Sequence, residues 1–149
     1  MVQNHSHYIY FEKQGNDLMC GLHCVNAILQ GPIFDEVTMA QIAQNLDQQE
    51  RELLGGQLSE SNMGGGVGAN PFQSYNVANS GNYSLPVLEM AFQNRGGFRC
   101  VPISTLQGRN LADSCHAFVC HKGDHWIAIR KVNGVWYNLN STNIVPPGP

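Results

Sequence analysis

The sequence predicts an α+β domain, with helices first and antiparallel strands after, and three observations lead to it. Apolar residues recur at helical spacing from Cys20 to Gln30 and again from Val37 to Leu54. β-branched and aromatic residues gather in short runs from Ala117 onward. Between the last two runs stands Asn133-Gly134, the strongest short-range hairpin signal. Helices that precede strands, rather than alternate with them, segregate into an α+β architecture. A chain of 149 residues is enough for one core and short for two, so residues 1–149 are expected to be a single domain.

Taken in order, His7 to Phe11 is a short β-prone run, either an edge strand or an apolar anchor for the N-terminus. The helix from Cys20 to Gln30 carries Leu22, Val25, Ala27, Ile28 and Leu29 on one face, and Gly31-Pro32 ends it. Thr38 and Gln41 have capping-box spacing. Val37, Met39, Ile42, Ala43, Leu46, Leu53 and Leu54 then form an apolar stripe that Gly55-Gly56 stops. Gly55 to Gly81, with Gly64-Gly65-Gly66, Gly68 and Pro71, lacks the apolar residues that offset the entropy of ordering and reads as a mobile arm. Ser84 caps a third helix that tolerates Pro86 in its first turn, shares a face among Leu85, Leu88, Ala91 and Phe92, and ends at Gly96-Gly97. Phe98 to Ile103, Ala117 to His121, Trp126 to Lys131 and Val135 to Leu139 read as strands.

Charged residues make up 13% of the chain, the net charge is −3, and Lys and Arg are scattered, so neither nucleic acid nor a membrane is an expected partner. The polar residues 1–7 have no signal-peptide core, and no run reaches membrane-spanning length, which points to the cytoplasm or the nucleus. Without a secretory signal, the five cysteines are expected to be reduced thiols.

Cys20 stands where the first helix begins, and a helix start presents unpaired N–H groups and a partial positive charge that favour a thiolate. A thiolate nucleophile needs a base, and the base needs a residue to orient it. If Asn133-Gly134 is a two-residue turn, Val132 faces Val135 and Ile127 faces Asn140. His125 then lies diagonal to Asn140 on one face, at roughly 7–8 Å between backbones, a span that polar side chains bridge. The register therefore predicts a His–Asn pair, with Asn140 fixing the tautomer of His125. Nucleophile helix, His strand and Asn strand follow one another as in papain-like cysteine hydrolases. Gln14, in the irregular lead-in, is placed to join the Cys20 N–H in holding an oxyanion. Cys24, a turn further along, reads as core and His23 as a structural or rim residue. Cys20, His23 and Cys24 with Cys115, His116, Cys120 and His121 contain no Cys-x-x-Cys pair, and the second group lies on a strand with alternating faces, so no metal is expected.

Phe11-Glu12-Lys13-Gln14, Leu18 to Asn26, Asp124-His125-Trp126-Ile127 and Trp136 to Ser141 together resemble the Josephin family of deubiquitinating enzymes. Leu29-Gln30-Gly31, Leu46 to Arg51 and Ser80 to Ser84 resemble its ataxin-three-like branch. The resemblance implies a papain-like fold, a domain that lacks the family's last helix and strand, and a cofactor-free isopeptidase acting after the C-terminal glycine of ubiquitin or polyubiquitin chains. It makes Cys20 the nucleophile, His125 the general acid/base, Asn140 the orienting residue and Gln14 the oxyanion residue. It also places ubiquitin-docking positions at Leu85 and Pro86 near the cleft, and at Ile33 and Phe34 further away. The rival reading is a catalytically weak or inactive ubiquitin-binding module.

Overall fold

The helix that begins at Cys20 is apolar almost throughout, and the fold answers by enclosing it. The structure is a computed structural model that describes residues 8–55, 76–77 and 82–143. Among them, α1 (Cys20–Leu29) leaves only His23 and Leu29 partly exposed. The stretch read as a mobile arm lies outside the described residues apart from Gly55, Asn76 and Val77. The chain order continues through α2 (Glu36–Gly55), α3 (Leu85–Gly96), a 3-10 turn (Ile103–Leu106), a short α4 (Leu111–Ser114), and strands β1 (Ala117–Lys122), β2 (His125–Val132) and β3 (Val135–Asn138). The strands form one antiparallel sheet in the order β1-β2-β3. Helices followed by an antiparallel sheet are the expected α+β architecture.

The sheet presents Trp126 and Ala128 of β2 to α1, where Val25, Leu88, Phe92 and Met39 close the core. Gly21 lies at that junction, since a Cβ there would stand 3.4 Å from side-chain atoms of Leu88, Trp126 and Tyr83. Val132 pairs with Val135 and Ile129 with Asn138, as the two-residue turn requires. Asn133 and Gly134 both have positive φ, 50° and 83°, the conformation for which this dipeptide is suited. The bond from Leu139 N–H to Ala128 O, 2.8 Å, carries the same register past the end of β3.

Several local details differ from the sequence expectations. Of the two readings for the N-terminal run, residues Tyr8 to Phe11 follow the apolar anchor and not the strand: Ile9 and Phe11 pack against the core, and Tyr10 exchanges bonds with one amide side chain, its N–H donating to Gln30 Oε1 and its carbonyl accepting from Gln30 Nε2. That tether also explains why Gln30, and not Gly31, takes the left-handed turn that ends α1. The start of α2 lies before Thr38, because Asp35 and Thr38 cap it reciprocally through Thr38 N–H to Asp35 Oδ1, 2.8 Å, and Asp35 N–H to Thr38 Oγ1, 3.0 Å. Along α2, Met39, Ile42 and Ala43 are buried, whereas Val37, Leu53 and Leu54 are exposed. Ser84 holds the N-cap position of α3 without capping it, since its hydroxyl donates to Asn76 Oδ1.

Phe98 to Ile103 is not a strand. Phe98 N–H is used in closing α3 on Phe92 O, and Pro102 has no N–H to give a ladder before the 3-10 turn. Phe98 also covers Gly96, where a Cβ would come within 2.4 Å of its ring. Among the described residues no helix is long and apolar enough to cross a membrane.

Candidate active site

Three pieces of chain meet at the head of α1: the lead-in from Glu12 to Met19, Asn82 ahead of α3, and the hairpins on either side of β2. The lead-in is irregular but well tied. His23, one turn into α1, points back at it with Nδ1 2.6 Å from Glu12 Oε2 and Nε2 3.0 Å from Asp17 Oδ1. Carboxylates only accept, so both ring nitrogens donate when His23 is an imidazolium. The hydrogen bond to Glu12 raises the His23 pKa above its usual value, against the opposing effect of burial and with help from Asp17. Burial pushes Glu12 up, but its bonds to His23, Tyr10 and Asn26 prevail and hold its carboxyl below the usual range. Asp17 Oδ1 also accepts from Met19 N–H, 3.2 Å, so the cluster fixes the residue just before Cys20.

Cys20 is buried and opens α1, and Trp126 N–H donates to its sulfur at 3.4 Å. The residue beside Trp126 is His125, so the imidazole and the thiol belong to adjoining positions across the helix–sheet junction. His125 Nε2 lies 2.7 Å from Asn140 Oδ1, the pair that the hairpin register predicts. Thr142 fixes which end of that amide faces the ring, because its backbone N–H, 3.1 Å, and hydroxyl, 2.9 Å, both reach Asn140 Oδ1. A backbone N–H can only donate, so the atom is the oxygen, and His125 Nε2 carries the proton. Nδ1 is then the nitrogen left to exchange a proton.

The geometry departs from expectation at the thiol. Cys20 and His125 share no hydrogen bond; the thiol donates to Asn82 Oδ1 at 3.1 Å, with Asp124 O further off at 3.7 Å. Gln14 shares no hydrogen bond with Cys20. Its Nε2 donates to Asp17 O, 2.6 Å, its Oε1 accepts from Ser141 Oγ, 3.1 Å, and its N–H donates to Ser141 O, 2.8 Å. These bonds fasten the lead-in to the residue after Asn140. Cys24 is enclosed, and burial pushes its thiol up, away from nucleophilic behaviour. The cysteines are all free, and among the described residues no cluster of His, Cys, Asp or Glu is arranged to hold a metal ion.

Of the expected docking positions, Leu85 and Ile33 are exposed, at 43% and 44%, and Pro86 is exposed beside Leu85. Phe34 is a correction, because only 8% of it is accessible and it packs in the core, with its backbone N–H and carbonyl both bonded to the Asn26 side chain. Sequence reasoning missed Thr142 and Asn82. Asn140-Ser141-Thr142 carries an Asx-turn signal that was open to reading. Asn82 gives none, since it reaches Cys20 across 62 residues.

A thiol at the head of a buried helix, with a His–Asn pair on the neighbouring hairpin, is the layout of a papain-like cysteine hydrolase fold. The Josephin family model matches residues 15–147, and the chain belongs to that family. It is 36% identical over 144 residues to an ataxin-3 homolog of Arabidopsis thaliana, covering 93% of this chain and 49% of that protein. A putative ataxin-3 homolog of Oryza sativa subsp. japonica is 38% identical, with 93% of this chain and 42% of that protein covered. For ataxin-3 of Homo sapiens the identity is 30%, over 89% of this chain and 37% of that protein. The chain thus spans about half or less of the length of these relatives.

Proposed function

We propose that this chain supplies the catalytic part of a thiol deubiquitinase. The observation that carries the reading is the 2.7 Å contact between His125 Nε2 and Asn140 Oδ1, one residue from the Trp126 N–H that faces the Cys20 sulfur. In this reading His125 takes the Cys20 proton at Nδ1, and the resulting thiolate attacks the carbonyl carbon of the last glycine of ubiquitin. His125 protonates the departing lysine amine from Nδ1, and then takes a proton from the water that hydrolyses the thioester. Asn140 keeps Nε2 protonated and the ring in plane. Gln14 is half-buried and has a second amide N–H beyond the one given to Asp17, which it offers with the Cys20 N–H to the oxyanion. Leu85 and Pro86, and separately Ile33, offer apolar surface to ubiquitin. The reaction requires no cofactor.

The test is hydrolysis of a fluorogenic amide on the C-terminus of ubiquitin. Wild-type chain and Cys24→Ala are expected to release the fluorophore, and Cys20→Ala and His125→Ala to lose release by at least about a hundredfold. A folded wild-type chain that binds ubiquitin but releases nothing would replace this reading with the non-catalytic binding module.

A further inference from the structure

Asn82 is the side chain with which the Cys20 thiol shares its hydrogen bond, 3.1 Å from Sγ to Oδ1. Its orientation is fixed from the other end, because its Nδ2 donates to Asp124 O, and a carbonyl can only accept. The oxygen of the amide therefore faces the sulfur. With Asn82 only 8% accessible, water competes little for this contact. A thiol satisfies the arrangement by giving its hydrogen to the amide oxygen. A thiolate would set its charge against that oxygen, and against Asp124 O at 3.7 Å, with the Trp126 N–H at 3.4 Å to favour it. Turning the amide over in place would put Oδ1 against Asp124 O, carbonyl to carbonyl, so the contact does not invert by simple rotation.

We propose that Asn82 is a latch on the nucleophile: it holds the Cys20 proton in the resting chain and must leave the sulfur before His125 receives that proton. The proposal rests on Cys20 being the nucleophile. The anchor of the latch, Asp124, adjoins His125 in the turn between β1 and β2, so the same turn carries both the restraint and the base.

The test is alkylation by iodoacetamide at neutral pH, with Cys20 and Cys24 distinguished by fragment masses and folding checked by circular dichroism. Removing the acceptor in Asn82→Ala is expected to speed modification of Cys20 about fivefold, the scale of one hydrogen bond, while Cys24 stays protected. In Asn82→Asp, a carboxylate against the sulfur opposes the thiolate and is expected to slow Cys20 by a similar factor. Cys20 reacting no faster in the alanine variant, or faster in the aspartate variant, would overturn the latch. So would a parallel rise at Cys24 in Asn82→Ala, because Asn82 would then be holding the core and not the thiol. Alkylation involves no ubiquitin, so its outcome is independent of the fluorogenic test of the proposed function.

Discussion

His125 meets Asn140 through a chain of small constraints, each with a residue to its name. The Asn133-Gly134 turn sets the register, the bond from Leu139 N–H to Ala128 O extends it, and Thr142 turns the Asn140 oxygen toward the ring. The last of these makes Asn140 an acceptor without alternative, which holds His125 in a single tautomer. Replacing it in Asn140→Ala is expected to lower kcat at least about tenfold with KM little changed, as a share of the 10²–10⁴ that a positioned acid/base supplies. Steady-state hydrolysis of the fluorogenic substrate reads both constants, and a loss confined to KM would show that Asn140 serves binding. At this scale the place of Cys20 at a helix start and the contact between His125 and Asn140 were legible in the sequence, because each depends on local order, a helix start or a turn and its register. Phe34, placed on the surface by the family resemblance alone, is enclosed because the Asn26 side chain holds its backbone against the core. Asn82 was illegible because nothing local links it to a cysteine 62 positions away.

Among the elements, the lead-in before α1 owes its shape to charge more than to backbone pattern. His23 bridges Glu12 and Asp17, and Asp17 in turn receives Met19 N–H and Gln14 Nε2. The consequence for stability against pH follows from the two shifts. His23 is raised above 6.5, so its contribution is full below that pH and fades as pH climbs through the folded value. Glu12 is lowered from 4.5, so its contribution is full above that pH and fades as pH drops through the folded value. The pair thus stabilises most between pH 4.5 and 6.5. Melting temperatures of wild type and His23→Gln across pH 3 to 9 are expected to differ most in that window (roughly, by the linkage above). A difference that stays constant with pH would mean His23 acts through packing alone.

The helices were legible at this scale from their apolar spacing, and β1, β2 and β3 from composition and the turn. The missed features have a common cause in side chains that replace backbone partners. Asp35 shifts the start of α2, and Phe98 closes α3 where a strand was expected. Such substitutions depend on which segments lie side by side, and a single sequence does not state that.

For the molecule as a whole, α1 is the element between the helices and the sheet, touching β2 on one side and α3 on the other. Enclosing that helix while leaving its first residue at a junction of three chain segments seats the Cys20 thiol on a closely packed core. The order of elements was legible because helices and strands are segregated along the chain, and papain-like order followed from where the thiol, imidazole and amide fall within it. The junction itself required the fold, since the lead-in, Asn82 and the β2 hairpins are brought together by packing. The central claim is that this junction makes Cys20 a nucleophile toward ubiquitin. Its most direct measurement is reaction of the folded chain with ubiquitin carrying a C-terminal electrophile, followed by mapping of the crosslink by mass spectrometry. A single adduct on Cys20, absent in Cys20→Ala and retained in Cys24→Ala, is the predicted result; an unmodified folded chain, or an adduct on another cysteine, would contradict it.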